Sequence, residues 1–140
     1  SRGLSALVFR GANTGLDELT TTDANQVWLV SGGAVVETTF DARESLGMAS
    51  SSIEDLAGGE AAENAAVARD VLSGGGADAV RDAVALNVGA GILAWEGLDN
   101  PVTQADFEQR IRGAVERALA ALADGSGARL VERWVAASNA

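Results

Sequence analysis

Two adjacent carboxylates, Asp17 and Glu18, stand in the stretch Gly15-Leu16-Asp17-Glu18-Leu19, just after the apolar run Ala6-Leu7-Val8-Phe9. The run is short and continuous, and Gly11 to Gly15 interrupts it with Asn13 and Thr14 as turn formers, so it reads as a buried strand ending in a loop. Open α/β sheets bind ligands beyond the carboxyl ends of their strands. Paired carboxylates there can hold a hard cation, and Mg²⁺ typically takes one or two protein carboxylates and fills its remaining positions with phosphate and water. The same two acids also fit a solvated turn, since Asp and Glu are usually on the surface.

The missing residue types narrow the chemistry further. The 140 residues contain no His and no Cys, and all ten basic residues are Arg. That removes an imidazole base, a His–metal site, a thiol nucleophile, a zinc cluster and a disulfide. It also removes Schiff-base chemistry and a phosphate-loop lysine. Carboxylate, guanidinium, amide and hydroxyl chemistry remain. A net charge of −10 argues against affinity for nucleic acid or anionic membranes. It leaves room for a small anionic ligand bridged through a cation. Lack of Cys fits a reducing compartment. No apolar run suggests a membrane span, no signal-peptide pattern is visible, and the first residue is not Met, which suggests a chain processed or cut from something longer.

The elements that must position the pair follow from periodicity and punctuation. One domain is expected, long enough to bury a core and 47% hydrophobic. After a lead-in at 1–5 and the first strand at 6–9, the β-branched and aromatic runs 26–30 and 34–40 flank Ser31-Gly32-Gly33 and predict a hairpin. Asp23-Ala24-Asn25 is turn-like. Asp41 caps a short turn ended by Gly47, and Ser52 to Leu56 reads as another. A helix from Glu60 to Leu72 ends at Ser73-Gly74-Gly75-Gly76; Asn64 within it should bond local backbone. Ala77 to Trp95 is apolar nearly all round and predicts a buried helix, with Gly89 and Gly91 allowing close approach and Asn87 needing a partner. Thr103 and Asp106 cap a helix running to about Ala123. Its inner stripe is Phe107, Ile111, Ala114, Val115, Ala118, Leu119 and Leu122, and Glu108, Arg112 and Glu116 are spaced as surface partners. Gly125 and Gly127 stop it before a last amphipathic helix with Leu130, Val131, Trp134 and Val135 inside and Arg129 and Arg133 outside. No internal repeat or low-complexity linker is present.

Taken in order, these pieces resemble the C-terminal part of an anthranilate phosphoribosyltransferase. The resemblance runs through Ala6-Leu7-Val8-Phe9, Gly15-Leu16-Asp17-Glu18-Leu19-Thr20, the hairpin, Leu56-Ala57-Gly58-Gly59 and Glu63-Asn64-Ala65-Ala66. It continues through Val71-Leu72-Ser73-Gly74, Arg81-Asp82-Ala83-Val84, Leu86-Asn87 and Ala123-Asp124-Gly125 to the final helix. It implies part of an α/β domain of the nucleoside phosphorylase/phosphoribosyltransferase type: a strand, a hairpin and then helices. It further implies a cytoplasmic enzyme of tryptophan biosynthesis that joins the anthranilate nitrogen to C1 of phosphoribosyl pyrophosphate (PRPP) and releases pyrophosphate. The transition state would be oxocarbenium-like, with Mg²⁺ screening the leaving diphosphate. Asp17 and Glu18 match the family's Mg²⁺-binding acidic pair; no catalytic or substrate-binding residue is assigned.

Residues 1–140 would then be a single fragment. The family's helical domain, through which the whole enzyme forms a homodimer, and its diphosphate-binding half would lie outside it, leaving the fragment inactive alone. Two departures stand out: Arg10-Gly11 where the family has His-Gly, and a loop, Ala12-Asn13-Thr14, one residue longer. A non-catalytic metal-binding or interaction domain of the same fold is one alternative. A pyrimidine-nucleoside phosphorylase relative is another, although Gly-Leu-Asp-Glu-Leu favours the anthranilate enzyme.

Overall fold

The chain is seen in a computed structural model that describes residues 4–140. Of the lead-in at 1–5, residues 1–3 fall outside that range. Three strands form an antiparallel sheet in the order β1 (Ala6–Gly11), β2 (Asn25–Ser31), β3 (Ala34–Phe40). Five helices follow: α1 (Ala42–Leu46), α2 (Ala61–Leu72), α3 (Asp78–Glu96), α4 (Phe107–Ala123) and α5 (Ser126–Ser138), with a single 3₁₀ turn at Glu54–Leu56. This is the expected strand, hairpin and run of helices.

The hairpin closes where the glycines require it. Gly32 (φ 58°) and Gly33 (φ 82°) take the paired left-handed conformations of a tight two-residue turn, which set Ser31 opposite Ala34. Asp41 caps α1 by accepting from Arg43 N, and Asn64 bonds Gly59 N and O, as local chemistry predicted. The core joins one sheet face to α3 and α4: Val27, Leu29 and Phe40 meet Leu86, Leu93 and Ile111, and the Phe40 and Phe107 rings stack edge-to-face with centroids 5.6 Å apart.

Several expectations are corrected. β1 is not a buried strand but a half-covered edge strand two residues longer than read, with Val8 51% exposed, because antiparallel pairing with β2 buries only alternate side chains. α3 is not buried all round. Ala85, Leu86, Gly89, Ala90 and Leu93 are covered, but Val88 and Trp95 (75% exposed) lie open. Gly89 does allow close approach, since a Cβ there would lie 2.6 Å from Val115 Cγ2 of α4; nothing approaches Gly91. The Thr103–Asp106 reciprocal bonds form, yet regular helix begins only at Phe107. Among the described residues Arg112 pairs with neither Glu108 nor Glu116. Its guanidinium donates to the Ser45 carbonyl, which tertiary packing brings within reach. Gly127 lies inside α5 rather than before it, and most of the apolar face of α5 is open, with Leu130, Trp134 (72%) and Val135 exposed.

Candidate functional site

The acidic pair sits where β1 ends. β1 leads through a tight loop, in which Gly11 N–H donates to Leu16 O (2.7 Å) and Gly15 N–H to Gly11 O (3.1 Å). Asp17 and Glu18 are exposed at its far side, whereas Leu19, Thr20 and Thr21 are buried immediately after them. Buried backbone must find partners; Asn25 and Asn87 supply them here, and Asp23 ties down the exposed turn in front of the pair.

Asp23 accepts from Asn13 N (2.6 Å) and Thr14 N (3.0 Å) and from the Thr14 hydroxyl (3.3 Å). Asn25, fully buried, accepts from Thr20 N (3.3 Å) and donates to the carbonyls of Thr20 (3.1 Å) and Phe40 (3.3 Å). From the helical side, Asn87 of α3 accepts from Leu19 N (3.1 Å) and donates to Leu19 O and Ala83 O (2.9 Å each). The Thr21 hydroxyl adds a bond to Ser51 Oγ (2.9 Å). The backbone is thus held before and after the pair, and both acids are exposed. Glu18 borders two hollows: a cleft of about 420 Å³ shared with Leu16, Thr20, Val84 and Asn87, and a smaller one of about 240 Å³ against Phe9 and Gly91.

Asp17 and Glu18 both lie exposed on the loop after β1, and Asn87 finds the partner it needed. By sequence Asp23 and Asn25 are only turn formers. Their role could have been suspected from short polar side chains flanking a buried strand, which commonly bond nearby backbone.

Burial alone would push the Asp23 carboxyl up; the donors from Thr14, Asn13 and Thr22 outweigh it and hold it below the ordinary carboxylate value. A lowered folded pKa contributes stability that is present above the unfolded value and lost as pH falls through the folded one. The Asn13 and Thr14 amides are expected to resist hydrogen exchange near neutrality and to lose that protection in the acid range. Asp23→Asn should show no such pH step. Unchanged protection through pH 2–3 would separate the loop from this carboxylate.

Among the described residues no cluster of three or more His, Cys, Asp or Glu could hold a metal. The pair suits a hard cation completed by ligand oxygens and not a cation caged by protein alone. Nor is any helix among these residues long and apolar enough to cross a membrane.

The family model described as "Glycosyl transferase family, a/b domain" matches residues 2–128. Anthranilate phosphoribosyltransferase of Nocardia farcinica is 46% identical over 99% of this chain and 39% of its own length. That of an Arthrobacter species is 47% identical over 96% of this chain and 36% of its own. The crystal structure of the Thermus thermophilus enzyme of that name superposes with a TM-score of 0.78 at 34% identity, over 97% of this chain and 36% of that one. The Saccharomyces cerevisiae enzyme in complex with PRPP and Mg, at 19% identity and a TM-score of 0.73, shares the fold over 91% of this chain and 33% of its own. The chain thus spans little more than a third of the length of the relatives it matches. With the family model matched over residues 2–128 and the fold shared with solved relatives, the chain belongs to the glycosyl transferase family.

Proposed function

We propose that this chain is the cation-binding, C-terminal part of an anthranilate phosphoribosyltransferase, in which Asp17 and Glu18 hold Mg²⁺ against the diphosphate of PRPP. The observation that carries the reading is the joint one: near-complete coverage of the chain by relatives of that name, with the two acids exposed on a loop whose neighbours are pinned. The complex of the yeast relative with PRPP and Mg supports both the substrate class and the cation.

In this reading the residues divide by task. Asp17 and Glu18 supply oxygen ligands. Asn25 and Asn87 fix the backbone that carries them, so little ordering remains to be done when substrate arrives. The bound cation supplies electrostatic stabilisation of the charge that grows on departing diphosphate. Anthranilate, the rest of the phosphate contacts and the homodimer contacts belong to the remaining length of the enzyme, and residues 1–140 are one domain fragment of it. The setting is the cytoplasm.

Loss of anthranilate fluorescence on adding PRPP and Mg²⁺ tests the proposal. The chain alone is expected to show none. A chain extended upstream through the length of its relatives should turn over, and Asp17→Asn with Glu18→Gln in it should cut kcat/KM by about a hundredfold or more. An extended, folded chain without fluorescence loss would overturn the reading.

A further inference from the structure

β1 keeps main-chain hydrogen-bonding groups on a side where no strand lies. Among the described residues its strand neighbour is β2 alone. Antiparallel partners alternate between bonded and unbonded pairs, and Ala12 N–H bonds Ala24 O (2.8 Å) in the register that β1 and β2 share. Counting back from that pair, Ala6, Val8 and Arg10 bond β2, while the N–H and C=O groups of Leu7 and Phe9 point to the free edge. Gly11 continues the alternation: its N–H also turns away from β2, to Leu16 O. The two edges of the sheet differ in character. β3 carries Glu37, Thr38 and Thr39, the charged and polar residues that blunt an edge, whereas from Leu4 to Phe9 the only polar side chain is Ser5.

The helix above this edge is open as well. The side chains of Leu7 and Phe9 line the hollow of about 240 Å³ together with Ala90, Gly91 and Ala94 of α3, and Glu18 borders it. Val88, Gly91 and Trp95 share one face of α3 by helical spacing, and all three are exposed. A Cβ at Gly91 would meet nothing within 4 Å. A row of unpaired main-chain groups beneath an apolar helix face describes what fits there. A strand satisfies the backbone of Leu7 and Phe9, and its side chains on the α3 side fill the hollow and reach Val88 and Trp95. A second copy would bring together two chains of charge −10. The relatives offer another source, since most of the length of each lies outside the match.

We propose that β1 is an inner strand of the full-length enzyme, its free edge paired by a strand from the part of the chain upstream of residue 1. This rests on the reading of residues 1–140 as a C-terminal part. Because Glu18 borders the hollow, the strand that fills it also walls the cation site.

The test is amide hydrogen exchange, read residue by residue, on this chain and on the chain extended upstream through the length of its relatives. In this chain the amides of Ala6, Val8 and Arg10 should be protected and those of Leu7 and Phe9 should exchange freely; in the extended chain all five should be protected. Gly91→Leu should leave this chain folded, because the position is open. In the extended chain it should speed Leu7 and Phe9 exchange by about tenfold or more, because leucine takes the space of the added strand. Free exchange of Leu7 and Phe9 in an extended chain that turns over would overturn the proposal and leave the enzyme reading standing. Protection of both in an extended chain without turnover would support the added strand and overturn the enzyme reading. Protection that vanishes on dilution together with a dimer mass by light scattering would give the edge to a second copy and overturn the proposal.

Discussion

Asn25→Ala is expected to destabilise the chain by about 3 kcal/mol, seen as a lower urea midpoint without a change in slope. The side chain is fully buried and spans three segments. Its carboxamide oxygen takes Thr20 N–H, and its nitrogen serves Thr20 O, Asp23 O (3.4 Å) and Phe40 O. Truncation strands a backbone donor and at least two acceptors where water does not reach, so the loss exceeds that of one hydrogen bond. The consequence reaches the site, because Thr20 is two residues beyond Glu18. The Asp17–Glu18 backbone should broaden in NMR spectra of Asn25→Ala under conditions where the helices remain folded. Asn25→Asp should not rescue, since a carboxylate cannot donate to Thr20 O and Phe40 O. Wild-type stability in Asn25→Ala would mean that other groups carry the loop.

The second large effect lies in α3 and has an internal control. Gly89→Ala places a Cβ 2.6 Å from Val115 Cγ2, 3.0 Å from Val115 N and 3.1 Å from Val115 Cα. Backbone cannot yield as a side chain can, so α3 and α4 must separate, which costs about 1–3 kcal/mol beyond the gain of about 1 kcal/mol from replacing a helical glycine. Gly91→Ala, two residues on, meets nothing within 4 Å and should stabilise by up to about 1 kcal/mol. Thermal unfolding should therefore move in opposite directions for the same substitution in one helix. If both variants shift the same way, the α3–α4 contact does not set the helix spacing. Asn87, two residues before Gly89, is the clamp on Leu19, so displacement of α3 should also loosen the acidic loop.

What the sequence determined by itself is what depends on near neighbours. The hairpin follows from two glycines whose left-handed backbone suits a tight turn. The α1 cap follows from Asp41 and the N–H two residues on, and the Asn64 bonds from the glycine just before its helix. The inner stripe of α4 follows from helical spacing, which a single amphipathic face makes unambiguous. That Asp17 and Glu18 fall on a loop after a strand also follows from local punctuation, whereas a cation role for them comes from the family resemblance.

Only the tertiary structure decided which apolar surfaces are covered and which polar groups serve the loop. α3 and α5 both carry enough apolar residues to suggest burial, but burial needs an opposing surface. Packing supplies α3 with one on a single side, and leaves Leu130, Trp134 and Val135 of α5 open. Gly89 and Gly91 look alike in the chain and differ only because α4 crosses at one of them. Asn87 needed a partner on any reading, yet that partner is backbone 68 residues away, a separation over which no periodicity carries information. Arg112, spaced for its helical neighbours, meets a carbonyl of α1 instead. In each case the deciding contact joins residues far apart in sequence, and only folding brings them together.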